Sequence, residues 1–201
     1  MLFETNETII LASSSPRRKE LLARLGIPFT VMPSGAEEPP IETSETPETY
    51  AERLSSLKAS ALVKDHPGTV IIGADTVVAL DGKVYPKPGS AAEAERFLNE
   101  LSGRTHSVIT GVTIMRDEEI VRFSAVTAVT FRDLDEDLIG AYAASGDPLD
   151  KAGGYGIQTA GGLFVESIRG DYDNVVGLPI AELASVLRSR GLIRVQKEAL
   201  P

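Results

Sequence analysis

The run Thr69-Val70-Ile71-Ile72-Gly73-Ala74-Asp75-Thr76-Val77-Val78-Ala79-Leu80 leaves this chain few options. It is rich in β-branched and other apolar residues and too short to span a membrane as a helix. It reads as a buried strand at the centre of a sheet. One residue breaks the pattern: Asp75 stands in the middle with apolar residues on both sides. Burying an unpaired carboxylate is costly, or forces it to take up a proton. A metal, a cationic partner or acid–base chemistry is the usual reason to keep one there.

The 201 residues fit one domain, 1–201, with a real core. A hydrophobic fraction of 42% and a charged fraction of 24% are those of a globular protein. The net charge of −9 argues against a broad nucleic-acid or anionic-membrane surface, so neither is expected as a partner. A small phosphate ligand held by a few cations stays compatible. There is no cysteine, and the only histidines are His66 and His106. Thiol chemistry and Cys- or His-rich zinc sites are excluded. Any metal must rest on carboxylate and phosphate oxygens, which points to Mg²⁺ or Mn²⁺. The N-terminus carries Glu4 and Glu7 and no apolar run, so a cytoplasmic protein is expected.

Segments flanking the Asp75 strand supply cations. Thr8 to Ala12 reads as a strand, followed at once by Ser13-Ser14-Ser15-Pro16. Ser15 is a good N-cap and Pro16 a good first helical residue, so a helix to Gly26 is expected. Arg17, Arg18 and Lys19 then fill its first turn, where cations oppose the helix dipole. A bound anion would satisfy dipole and side chains together; a solvated basic turn is the plain alternative. Ile27 to Val31 reads as a second strand. Ser34 to Glu48 is an acidic, proline-rich loop whose glutamates, Glu37 and Glu38 among them, are solvated unless the loop folds over a site. Thr46-Pro47 opens a helix to about Lys64, with an apolar stripe of Tyr50, Ala51, Leu54, Leu57, Ala61 and Leu62. Lys58 falls inside that stripe. Either its stem snorkels to the edge, or its ammonium points into a site shared with Asp75.

Asp81-Gly82 predicts a type I′ hairpin returning as Lys83-Val84-Tyr85. Lys87 follows, pinned between Pro86 and Pro88 in extended backbone. A helix is expected from Ser90 to Leu101, then strands Thr105 to Arg116 and Ile120 to Phe131, and a helix from Leu134 to Ala144. His106 reads as a structural hydrogen-bonder. Five glycines between Gly153 and Gly162 make a poor core element but let backbone approach a ligand, and Gln158 among them suits the edge of a base. A plain flexible loop is the other reading. Leu163 to Ile168 reads as a strand, Gly170 to Gly177 as a turn and short strand, and Leu178 to Arg190 as a last helix.

No lysine precedes Ser or Thr, so there is no Walker-type loop, and Thr159 spoils a G-x-G-x-x-G. G-x-S-x-G and H-E-x-x-H are absent too. Arg17, Arg18, Lys58, Lys87, a buried carboxylate and nearby acids are the parts that phosphoryl-transfer chemistry needs. The residues alone point to an α/β enzyme acting on a phosphorylated substrate.

Several collinear motifs carry a resemblance. They include Leu11-Ala12-Ser13-Ser14-Ser15-Pro16-Arg17-Arg18, Lys58-Ala59, Gly73-Ala74-Asp75-Thr76, Lys87-Pro88, Asp150-Lys151-Ala152-Gly153, Tyr155-Gly156-Ile157-Gln158 and Val175-Val176-Gly177-Leu178-Pro179. From Ile10 to Leu187 the chain resembles the Maf proteins, nucleoside triphosphate pyrophosphatases also described as septum-formation inhibitors. The resemblance implies an elongated mixed sheet with flanking helices, an α/β fold like the inosine triphosphate pyrophosphatases, with a central cleft between two lobes and often a homodimer. It implies Asp75 as proton acceptor, Arg17, Thr76 and Gln158 in substrate selection, and Ser13, Arg18, Glu37, Lys58 and Lys87 lining the site, with Glu37 and Asp75 toward Mg²⁺ or Mn²⁺. The pattern is similar to the subgroup that hydrolyses dTTP and UTP, departing from it at Gly154 and Thr159. Besides hydrolysis of a nucleoside triphosphate, a nucleotide-binding regulator of septum formation acting through a protein partner and a sugar-nucleotide enzyme are the alternatives.

Overall fold

The computed structural model describes residues 2–196. In chain order its strands are β1 (Phe3–Glu4), β2 (Ile9–Leu11), β3 (Thr30–Val31), β4 (Val70–Leu80), β5 (Lys83–Tyr85), β6 (Thr105–Arg116), β7 (Glu119–Phe131), β8 (Val165–Arg169) and β9 (Arg194–Val195). Its helices are α1 (Pro16–Ala23), α2 (Pro47–Val63), α3 (Ala91–Leu101), α4 (Glu136–Ala144), α5 (Tyr172–Val176) and α6 (Ile180–Ser189). The main sheet runs β3-β2-β4-β6-β7-β8 with β5 also paired to β4, while β1 and β9 form a small antiparallel pair of their own. β3, β2 and β4 are mutually parallel; β4 to β8 are joined antiparallel. This is a mixed α/β sheet flanked by helices. Among the described residues no helix is long and apolar enough to cross a membrane.

β4 is the expected central strand, and its pairing contains a break. On one edge β6 accompanies it from Ile71 to Ala79. On the other edge β2 reaches only Ile72, and β5 resumes only at Val78. Among the described residues no strand covers that edge over 73–77, the interval that holds Asp75 and Thr76.

The two faces of the sheet pack differently. Toward α2, Ile71 joins Ala59 and Leu62, and Val77 and Ala79 join Ala51. Between those groups the sheet carries Gly73 and Gly111. A Cβ on Gly73 would lie 2.3 Å from the Ser55 carbonyl oxygen, and one on Gly111 would lie 2.3 Å from the Ala51 carbonyl carbon. The helix therefore rests on sheet backbone, which only glycine permits. The opposite face holds two apolar groups. Val70, Ile72 and Ala74 pack with α1 and α6; Val78 and Leu80 pack with α3, α4 and Phe131. Thr76 and its register partner Thr110 stand between them.

Local chemistry explains several element ends. Ser15 Oγ accepts from the Arg18 backbone N–H and caps α1, with Pro16 at its start. Thr46 and Thr49 form a reciprocal capping box on α2. Asp81 and Gly82 both have positive φ, at 51° and 80°, as a type I′ turn requires.

Three expectations need correction. The segment between Gly170 and Gly177 is the short helix α5, capped by the Asp171 side chain, rather than a turn and strand. Val175 and Val176 suggest a strand, but the cap and Gly177 at φ 129° enclose a single helical stretch. The buried stripe of α2 is Ala51, Leu54, Ser55, Lys58, Ala59 and Leu62, while Leu57 is exposed. Small residues face the sheet because the backbones nearly touch, so ranking by apolarity picks the wrong side. The glycine-rich stretch is organised as 3₁₀ turns at Asp147–Asp150, Ala152–Gly154 and Ala160–Phe164.

Candidate active site

A cleft of about 590 Å³ opens at the uncovered edge of β4. Ser13, Arg17, Arg18, Lys58, Asp75, Thr76, Lys87 and Gln158 all border it. Residues from five separated segments of the chain thus meet at one place. Glu37 is the exception. It is exposed and borders no part of the cleft, whereas its neighbour Glu38 does.

Asp75 faces α2 and is 6% exposed. Its Oδ1 accepts from the Lys58 ammonium, whose second carboxylate partner is Glu38 Oε1 at 2.7 Å. Of the two readings for Lys58, the structure takes the one directed at Asp75: the ammonium sits between two acids instead of reaching solvent. Oδ2 of Asp75 has no protein donor among the described residues and is left to the cleft. Partial burial pushes the Glu38 carboxyl up, but the Lys58 hydrogen bond and the charges of Lys58, Lys87 and Arg18 outweigh it. Glu38 is held below the usual carboxylate range.

Arg18 comes from the first turn of α1 and passes under the cleft. Its Nε donates to the Gly177 carbonyl at 2.9 Å and its Nη2 to Thr76 Oγ1 at 3.1 Å. Burial lowers its pKa, and the nearby charges of Asp75 and Glu38 act against that. Arg17 reaches across to Asp150 Oδ2 at 3.1 Å. Lys87 stands exposed at the rim, after β5. Ser13 Oγ accepts from the Ser15 backbone N–H at 3.1 Å and fixes the serine loop.

The glycine-rich segment is tied down behind Gln158. Thr159 N donates to the Gly156 carbonyl at 3.2 Å, closing a turn with Gln158 in its third position. Lys151 lines the cleft, but its ammonium serves the Asp147 carbonyl at 2.6 Å, Asp147 Oδ1 at 3.1 Å and Asp150 Oδ1 at 2.6 Å. Asp147 Oδ2 accepts from Tyr142 and Thr159, both at 2.5 Å. Burial and Asp147 push the Tyr142 hydroxyl up, so it stays a donor. A Cβ on Gly156 would fall 2.5 Å from Lys151 Cε, so the lysine can lie flat only against glycine.

Some contacts of this framework escape a reading of the sequence. Thr110, Asn174 and Gly177 stand behind Arg18 and Thr76. Thr110-Gly111-Val112 and Val175-Val176-Gly177-Leu178-Pro179 belong to the resemblance, but their spacing does not announce these contacts. His106 is the structural hydrogen-bonder expected: it is buried, bonds the Tyr155 hydroxyl at 2.8 Å, and burial lowers its pKa to about 4.

The sequence model of the family described as Maf-like protein matches residues 8–190. The dTTP/UTP pyrophosphatase of Nitratidesulfovibrio vulgaris is 46% identical over 196 residues, covering 96% of this chain and 93% of that protein. The protein of the same name from Thermococcus gammatolerans is 52% identical over 183 residues, 91% of this chain and 96% of that one. Among solved structures, the Ham1 protein of Staphylococcus aureus matches 63% of this chain and 73% of its own, with 22% identity and a TM-score of 0.41. The chain belongs to the Maf-like proteins.

Proposed function

We infer that the protein is a nucleoside triphosphate pyrophosphatase that hydrolyses dTTP and UTP to the nucleoside monophosphate and pyrophosphate. The observation that carries this reading is the buried Asp75–Lys58 pair opening on a cleft bordered by Arg17, Arg18 and Lys87. The names of relatives about half identical to the chain support the choice of nucleotide.

Asp75 is the proton acceptor. Lys58 holds Oδ1, leaving Oδ2 for a water in the cleft. As the water oxygen bonds to the α-phosphorus, its proton passes to Asp75. The bond from the α-phosphorus to the α–β bridging oxygen breaks, and its electron pair leaves on pyrophosphate. Arg17, Arg18, Lys58 and Lys87 face the charge that develops there. Gln158 and Thr76 select the nucleoside, and Ser13 shapes the loop under the phosphates.

The donor set also fits a divalent cation. Glu38 and Asp75 bring two hard-oxygen carboxylates to one lysine at the cleft. Among the described residues no group of three or more His, Cys, Asp or Glu side chains could hold a metal. That suits Mg²⁺ or Mn²⁺, which take one or two carboxylates and complete their shell with phosphate and water. Glu38, in place of Glu37, and Asp75 would hold it, and it would supply neutralising charge to the triphosphate.

The test is product identification with purified protein, Mg²⁺ or Mn²⁺, and each common nucleotide. Pyrophosphate and monophosphate are expected from dTTP and UTP. Release of orthophosphate and diphosphate would overturn the mechanism.

A further inference from the structure

Behind Thr76 the structure fixes the direction of every proton in a buried chain of hydroxyls. Asn174, with no exposed surface, is anchored by its side-chain amide to the Val108 carbonyl at 3.0 Å and to Thr127 Oγ1 at 2.9 Å. Its own backbone carbonyl accepts from Thr110 Oγ1 at 3.0 Å. A carbonyl cannot donate, and a threonine hydroxyl carries one proton, so Thr110 has none left for Thr76. The 2.9 Å contact between the two threonine oxygens therefore runs from Thr76 to Thr110. Arg18 Nη2, a donor only, meets the same Thr76 oxygen. Thr76 thus presents to the cleft an oxygen with a lone pair and no proton.

Phosphate oxygens accept and do not donate, so they gain nothing from such a group. The strand face that carries Thr76 continues as Val78 and Val108, both of which line the cleft beside Tyr155. That half is apolar and suits a base: the cations that reach it, Arg18 and Lys151, are engaged by Gly177 and Thr76 and by Asp147 and Asp150, while Lys58 lies with Asp75.

We propose that Thr110 is a specificity-determining positioning residue, which fixes Thr76 as a pure acceptor and so selects a pyrimidine whose N3 carries a hydrogen. Uracil and thymine offer that N–H. Cytosine presents a lone pair at N3, which repels the lone pair of Thr76. The proposal rests on the pyrophosphatase reading above and adds to it the residue that sets the polarity of base recognition.

The experiment compares kcat/KM for UTP and CTP in the wild type, Thr110→Val and Thr110→Ser, with thermal midpoints measured alongside. Wild-type turnover of UTP to UMP and pyrophosphate tests the underlying reading by itself. Given that turnover, Thr110→Val frees the Thr76 proton, and the UTP-to-CTP ratio should fall at least about tenfold, the worth of one hydrogen bond. Thr110→Ser keeps the acceptor and should keep the ratio. A ratio unchanged in Thr110→Val, as a contact to a ribose hydroxyl would give, overturns the proposal. So does a Thr110→Ser variant that loses the ratio as fully as Thr110→Val. If Thr110→Val does not fold, N3-methyl-UTP decides with the wild type. A fall of at least about tenfold against UTP is expected when one donor is removed, and turnover equal to that of UTP overturns the proposal.

Discussion

Asp75 and Thr76 are neighbours in one strand, yet they face different kinds of environment. On the α2 side, Asp75 meets a full charge, and Lys58 is shared with a second acid from a loop. Charge pairs of this kind can exchange partners, as a site must when an anionic substrate and a cation enter. On the other side, Thr76 meets the Arg18 guanidinium, which can only donate, and the Thr110 hydroxyl, which is committed to the Asn174 carbonyl, so its protons have only one consistent arrangement. That side cannot rearrange without leaving a buried group unpaired. Under the proposed function, reaction and recognition would use different chemistry one residue apart: an adjustable charge for the first, a fixed polarity for the second.

The two sides separate most sharply when Asp75 is replaced. Asp75→Asn keeps the shape of the side chain and removes the proposed proton acceptor. Its kcat should fall at least about 100-fold, while the UTP-to-CTP ratio stays as in the wild type. Steady-state assays on the two nucleotides check both. The next effect comes from the spacer under α2. Gly73→Ala drives a methyl against the Ser55 carbonyl, so the helix must lift and carry Lys58 with it. A loss of roughly 1–3 kcal/mol in denaturant unfolding is expected, with a fall in kcat.

Acid separates the two sides by pH. His106, buried beside Tyr155, titrates near 4 when folded, against an ordinary value of 6.5. Below 6.5 the unfolded chain takes up a proton that the folded chain refuses. Stability is therefore complete above that pH and declines toward pH 4, by roughly 3 kcal/mol in all. Denaturant midpoints between pH 7 and 4 should show the slope, and His106→Gln should flatten it. Glu38 behaves in the opposite sense of charge. Its contribution is present above the ordinary carboxylate value and is lost only as pH falls through its lowered folded value. The neutral side therefore weakens at a higher pH than the charged side. The smallest effect is expected at Asp150→Asn. Its pair with Arg17 is open to solvent, and Lys151, its other partner, keeps Asp147, so the unfolding free energy should change by less than about 1 kcal/mol.

Local signals were enough for the scaffold. The β-branched run gave β4, Ser15-Pro16 gave the start of α1, and Asp81-Gly82 gave the hairpin, because each is decided within a few residues. Arg18, Lys58, Lys87 and Gln158 were legible as an odd cation or amide in an otherwise ordinary setting. What was not legible depends on distance or direction. Glu37 and Glu38 are adjacent and chemically alike, and only the path of the loop decides which meets Lys58. α5 is too short for a period to show. Thr110 looks like any strand threonine until the carbonyl of Asn174 is placed beside it. The β1–β9 pairing joins Phe3 to Val195, a contact no local pattern contains.

The bare edge of β4 over 73–77 has a further consequence, for self-association. An uncovered strand edge is a template on which another extended chain can pair. Here it lies on the floor of a cleft, with Lys58 and Arg18 beside it and Arg17 and Lys87 at the mouth. Lysines and charges placed at an edge are how sheets repel such pairing. The cations proposed to bind phosphate would therefore double as gatekeepers against aggregation, and neutralising several of them together would leave a sticky strand as well as an idle enzyme.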